Sequence, residues 1–266
     1  MSPRFPTRRR ALRAGLAAGL GLLGHPRAGG KEEAEPPPVR RITRGPKHHW
    51  FGYYDKQELI LSFADVAGFG PALPSMAGAK HKFNHLLFNP DGSRFAFLHR
   101  WTGPRGRQTR LLTATPEGKG LRVVDDNGMT SHYIWRDARH LLAYSEQPSH
   151  GRRFYLFEDG GKKTVEVVGK DAMTADGHCS YLPGGAWILN DTYPDLERFQ
   201  HVYVYHVKSA RKVSLGRFAA PAAYSGEWRC DTHPRFSPDG RSVVIDAPHG
   251  KFGRQLHLID VSKVVG

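Results

Sequence analysis

The chain has 266 residues, 39% of them hydrophobic, with 30 glycines and 19 prolines, enough to bury a core and suited to many short strands. After the N-terminus no apolar run reaches the roughly 18 residues of a spanning helix, which excludes a bundle of membrane helices. The net charge is +14, but residues 1–30 hold six arginines and no acid, and without them 33 basic side chains face 25 acidic ones, or +8. A folded domain so charged attracts polyanions (nucleic acid, anionic lipid or acidic polysaccharide), and charge alone does not choose among them.

Residues 1–30 read as a twin-arginine-type export signal: the arginines Arg8, Arg9 and Arg10 precede an apolar run, Ala14 to Leu23, too short to span a bilayer. An uncleaved N-terminal anchor is the rival reading and the one route by which the chain would meet a membrane. Residues 31–38, charged and ending in three prolines, form a linker with nothing to bury. The β-propeller domain is expected over 39–266. Val39–Arg44 alternates enough to be a strand, and the expected role is to close the ring by completing the last blade.

His49, in a stretch rich in aromatic residues, opens what reads as a partial blade. Leu59 to Phe63 is expected as a strand and 64–80 as irregular chain. From there one sentence is spelled four times. His85-Leu86-Leu87-Phe88-Asn89-Pro90-Asp91-Gly92 and His233-Pro234-Arg235-Phe236-Ser237-Pro238-Asp239-Gly240 each read as an inner strand running into a turn in which Pro presets φ, Asp caps and Gly takes positive φ. His132 and His178 open looser copies. The intervals of 47, 46 and 55 residues suit one four-stranded blade each. The fold expected is therefore all-β: a propeller with four complete blades plus the N-terminal partial blade and closing strand. Trp135, Trp187, Tyr133 and Phe236 are expected in the core. Cys179 and Cys230 lie in consecutive copies, where export would permit a disulfide, with two buried thiols as the alternative.

The innermost strand of each blade lines a propeller's channel, so His85, His132, His178 and His233 are expected to converge on one axis despite their separation in sequence. Imidazoles around a wet funnel can hold manganese, zinc or iron, or supply a base near neutral pH. They can also only brace their own blades. Arg229, Asp231 and Arg235 flank His233, and arginine there suits a carboxylate through bidentate pairing. Asp191 and Asp195 are further carboxylates of the next loop.

At Ser131-His132-Tyr133-Ile134-Trp135, Asp176-Gly177-His178-Cys179-Ser180-Tyr181 and Asp231-Thr232-His233-Pro234-Arg235-Phe236 the chain resembles TolB-like propellers, and among them the oligogalacturonate lyase family. The resemblance implies a seven-bladed propeller whose axial histidines hold a manganese ion against a uronate carboxylate, while another histidine removes the C5 proton in β-elimination. Carried over by blade order, it implies His132 as the base and His178 and His233 as metal ligands, with His85 a further candidate ligand. Arg235, beside His233, is the further candidate catalytic residue. Arg229, Asp231 and His49 would then bind substrate. The family's last ligand is flanked by a glutamine and a second histidine, where this chain has Asp231 and Arg235. The implied partner is a short acidic oligosaccharide, with no nucleic acid expected. The reading from another class is a non-catalytic propeller that binds an envelope protein or glycan.

Overall fold

A computed structural model describes residues 59–266 except 71, 72, 105, 162–164 and 252. The export signal, the linker, the closing strand Val39–Arg44 and His49 lie outside the described residues. Four antiparallel sheets follow one another around a common axis as propeller blades. Blade 1 is β1 (His81–Phe88), β2 (Phe95–Gly103), β3 (Gly106–Ala114) and β4 (Arg122–Gly128), paired in sequence order. Blade 2 is β5 (Thr130–Trp135), β6 (His140–Gln147), β7 (Gly151–Glu158) and β8 (Glu166–Val168). Blade 3 is β9 (Ser180–Tyr181), β10 (Trp187–Asn190), β11 (Phe199–His206) and β12 (Arg211–Ala219). Blade 4 has three described strands, β13 (Arg235–Phe236), β14 (Ser242–Ala247) and β15 (Gln255–Asp260).

The repeated turns work as their residues dictate. In blade 1 the Gly92 amide donates to the Asn89 carbonyl, the Asp91 carboxylate accepts from the Ser93 amide, and Gly92 sits at φ 73°. Blade 4 repeats this with Ser237, Asp239, Arg241 and Gly240 at φ 71°. The segment 59–63 departs from expectation. Instead of a strand, a short helix α1 spans Phe63–Ala67, because Ser62 and Asp65 form a capping box: the Ser62 hydroxyl accepts from the Asp65 amide and the Asp65 carboxylate accepts from the Ser62 amide. Two such bonds settle a few residues that no strand neighbour claims.

Three cores join the blades. Ala96, Leu98 and Leu111 of blade 1 meet Tyr133, Trp135, Leu141, Tyr155 and Phe157 of blade 2. Leu142, Tyr144 and Phe154 meet Ile188, Tyr203 and Cys179 of blade 3, and Trp187, Leu189 and Val202 meet Val243 and Ile245 of blade 4. Trp135, Trp187 and Tyr133 are thus core residues, with Phe236 packed against the third cluster. Blade 1's other face is covered by Val66, Ile60, Leu61 and Phe69 of the preceding segment. No core cluster among the described residues joins blade 4 back to blade 1. No helix there is long and apolar enough to cross a membrane.

Cys179 and Cys230 are both free and buried, so the disulfide weighed on sequence grounds is not formed. They serve different environments: Cys179 fills the core between blades 2 and 3, while the Cys230 thiol donates to the Asp246 carboxylate at 3.3 Å. Burial first, and then that carboxylate, push the Cys230 thiol up to about 11.

Blades 1 and 2 are also clamped electrostatically. Asp159 of blade 2 is 2.7 Å from Arg94 Nε and 3.1 Å from Arg122 Nη1, and it accepts from the Thr113 hydroxyl at 2.7 Å. Breaking a buried pair leaves an uncompensated charge. Asp159→Ala is therefore expected to cost about 3–5 kcal/mol in urea denaturation. Arg122→Ala, removing a half-exposed partner, should cost about 1 kcal/mol or less. Equal losses for the two would contradict this assignment.

Candidate functional site

In every blade, pairing of the inner strand begins or resumes one or two residues after the repeat histidine: at Leu87, Tyr133, Ser180 and Arg235. His85 lies in the register break of β1, between Asn84 and Leu87, and His132 in the break of β5, between Thr130 and Tyr133. His178 and His233 precede β9 and β13. Such interruptions free the backbone to aim a side chain. His85 and His233 pay for that with positive φ, 56° and 39°, a region non-glycine residues enter rarely.

The four rings form one row. Centroids of His85 and His132 are 5.3 Å apart, His132 and His178 4.3 Å, and His178 and His233 4.0 Å. Tyr193, in the loop after β10, lies 6.0 Å from His132 and 6.1 Å from His178, ring to ring. The Arg229 guanidinium sits over the Tyr193 ring at 5.4 Å and pairs with Asp231 at 2.8 Å.

Carboxylates set the ring orientations. His132 Nδ1 is held by Asp176 Oδ1 at 2.9 Å, which leaves Nε2 without a partner among the described residues. His178 Nδ1 faces both Asp191 oxygens at 3.0 Å and its amide donates to Asp191 Oδ1 at 2.6 Å, so again Nε2 is the free nitrogen. Asp191 is fully enclosed and also accepts from the Thr232 hydroxyl at 2.5 Å. Burial alone would push its carboxyl up, but the bonds from His178 and Thr232 hold it below the ordinary range. Gly177 is required here: a Cβ would stand 1.9 Å from the Asp191 carbonyl oxygen.

A cation would find its donors at one end of the row. One atom each of His178, Asp231 and His233 lie within 4.8 Å of one another. Asp231 Oδ1 is buried without a hydrogen-bond partner, although Oδ2 is held by Arg229. An orphaned carboxylate oxygen beside two imidazoles fits a divalent ion with mixed nitrogen and oxygen preference, and Asp191 supplies the supporting bond that ligating histidines use.

The sequence candidates thus separate. His132, His178, His233, Asp231 and Arg229 come together. His85 ends the row on the blade 1 side, outside the donor set. Arg235 is exposed, pairs opposite Val244 and donates to the Pro234 carbonyl, and makes no contact with the row. Asp195 is bound to the surface His201 at 2.8 Å. Residues that sequence reading passed over are Asp176, Tyr193 and Arg100. Asp176 could have been found, because Asp176-Gly177-His178 and Asp231-Thr232-His233 share one pattern, an acid two positions before the histidine.

No family model matches the chain, and no curated protein matches it. Among solved structures it is similar to an oligogalacturonate lyase from Vibrio parahaemolyticus, at 18% identity and TM-score 0.50, over 67% of this chain and 49% of that one. An oligogalacturonate lyase in complex with manganese aligns at 21% identity and TM-score 0.49, over 67% and 48%. TolB from Acinetobacter baumannii aligns at 18% and 0.46, over 67% and 38%. The likeness shows the propeller fold, and the chain spans about half the length of those lyases.

Electrostatics within the row are testable directly. Desolvation by the packed neighbours first, then the charges of His132 and Arg100, lower His85 from its ordinary 6.5 to about 4, although the ring keeps an exposed face. His233 is lowered too, by burial and by His178. Both rings are therefore uncharged at neutral pH. In a proton NMR titration His85 should show a midpoint near 4, and a midpoint at 6.5 or above would contradict the packed row.

Proposed function

We propose that this chain is an exported, metal-dependent lyase that cleaves short uronate-containing oligosaccharides by β-elimination. The observation that carries the reading is the pairing of a carboxylate-oriented base, His132, with the adjacent donor set His178, Asp231 and His233, whose Asp231 Oδ1 has no protein partner. The resemblance to oligogalacturonate lyases in the histidine motifs favours manganese as the ion, with zinc or iron as alternatives. When bound, a divalent ion would draw charge from the substrate carboxylate and acidify the adjacent C–H.

This chain's own residues would do the rest. His178 and His233 offer ring nitrogens and Asp231 an oxygen, and Asp191 fixes the His178 ring. His132, held by Asp176 through Nδ1, takes the C5 proton at Nε2. The electron pair of the broken C5–H bond forms the C4–C5 double bond as the C4–O bond breaks, and the departing oxygen takes a proton from solvent. The resulting imidazolium is stabilised by Asp176. Arg229, paired with Asp231 and stacked on Tyr193, closes the other flank. Export through residues 1–30 is part of the same reading, with membrane attachment only through an uncleaved signal.

Metal content of the purified protein, measured by plasma mass spectrometry, tests this first. About one manganese or zinc per chain is expected, lost in His178→Ala, and weakened about 10–100-fold in Asp191→Asn, which changes only the supporting bond. With metal present, oligouronides should yield an unsaturated product followed by ultraviolet absorbance. His132→Gln should lower kcat about 100- to 10,000-fold while retaining the metal. A folded, metal-free protein would overturn the lyase reading in favour of a propeller that binds an envelope protein or glycan.

A further inference from the structure

Three arginines of blade 1 are more than nine-tenths buried, and the terminal nitrogens of two of them have protein partners. Arg94 pairs with Asp159 and donates to Thr113 and the Gly120 carbonyl. Arg110 donates to the Phe69 and Val66 carbonyls at 3.1 and 2.8 Å and faces His99 Nδ1 at 3.2 Å. Arg100, in β2 opposite Lys82 of β1 and Thr109 of β3, is 8% exposed and makes no hydrogen bond or ion pair among the described residues.

Its surroundings place it at the site. The charged and titratable groups that act on Arg100 are Arg107, Tyr193, Asp176 and Tyr133, and Arg100 in turn depresses His85. None of these groups is hydrogen-bonded to it. Asp176 Oδ1 is held by His132, and the Tyr133 hydroxyl donates to the His85 carbonyl. Of its three guanidinium nitrogens only Nε is both sealed from solvent and unpartnered, so the terminal pair can still meet a ligand. A buried charge without a counter-ion is strongly unfavourable. A planar fork of donors with no partner among the described residues matches a carboxylate bidentately.

We propose that Arg100 is a second anion anchor, gripping a carboxylate of the ligand at the blade 1 end of the histidine row, away from the His178, Asp231 and His233 donor set. The proposal rests on the reading that the ligand is acidic, and it adds a requirement: an acidic group is recognised by the protein itself, with no ion involved. A ligand with two acidic groups would then be engaged at both ends of the row.

Isothermal titration calorimetry on the full chain in EDTA, with glucuronate as probe and glucose as neutral control, isolates this anchor from the metal. Wild type should bind glucuronate and not glucose. Arg100→Met should weaken glucuronate binding on the order of 10–100-fold, Arg100→Lys should recover part of the loss, and Arg139→Met, a surface charge control, should change nothing. Because no described residue pairs with this charge, Arg100→Met should melt at or above the wild-type Tm. An unchanged Kd in Arg100→Met, no glucuronate binding by the folded metal-free wild type, or a Tm several degrees below wild type would each overturn the proposal. Metal content and elimination are read by separate assays, so failure of the lyase reading is distinguishable from failure of the anchor.

Discussion

A carboxylate enclosed by protein must be paired, and Asp191 shows what that constraint builds. It is fully buried, and its oxygens are satisfied by the His178 amide, the His178 ring and the Thr232 hydroxyl. The first two donors belong to the lead-in of blade 3 and the last to that of blade 4. One desolvated charge therefore fixes the angle of an axial histidine and registers two blades against each other. Gly177 lets the chain approach closely enough for this, and no side chain fits in its place. The row of imidazoles depends on that arrangement, since rings 4.0–4.3 Å apart cannot each choose their own rotamer.

Histidines stacked this closely cannot all be protonated. Like charges at such range oppose one another, and burial opposes each charge alone. His85 and His233 are accordingly depressed, and the acids divide the remaining work by position: Asp176 orients the ring whose Nε2 has no partner among the described residues, while Asp231 keeps one oxygen free. A base and a cation's donor set can coexist side by side because the two roles draw on different carboxylates. Arg229 tempers Asp231 without consuming its second oxygen.

Much of this was legible in the sequence, for a physical reason. A propeller repeats one strand order, so a residue type recurring at one place in the repeat must converge, and four histidines at blade spacing gave both the fold and the row. The Asp-Gly turns were legible because their chemistry is local. The capping box at Ser62 is equally local but was outvoted by the apolar look of Leu59 to Phe63. Asp176 was missed although it shares the spacing of Asp231, because its partner, His132, is 44 residues away in the preceding blade. Arg100 carried no sequence signal at all: among 39 basic residues, only burial without a partner sets it apart.

Whether a four-blade arrangement can hold such a site turns on where its supports lie. The histidine row is positioned by contacts between consecutive blades: Tyr133 of blade 2 against the His85 carbonyl, Asp176 ahead of blade 3 against His132, and Thr232 ahead of blade 4 against Asp191. Tyr133 is also part of the core between blades 1 and 2. The far face of blade 4, where Val244, Leu256 and Leu258 are exposed, contributes none of these contacts. A propeller site is usually pictured as a property of the closed ring. Here the geometry of the row is accumulated blade by blade, through contacts between consecutive blades among the described residues.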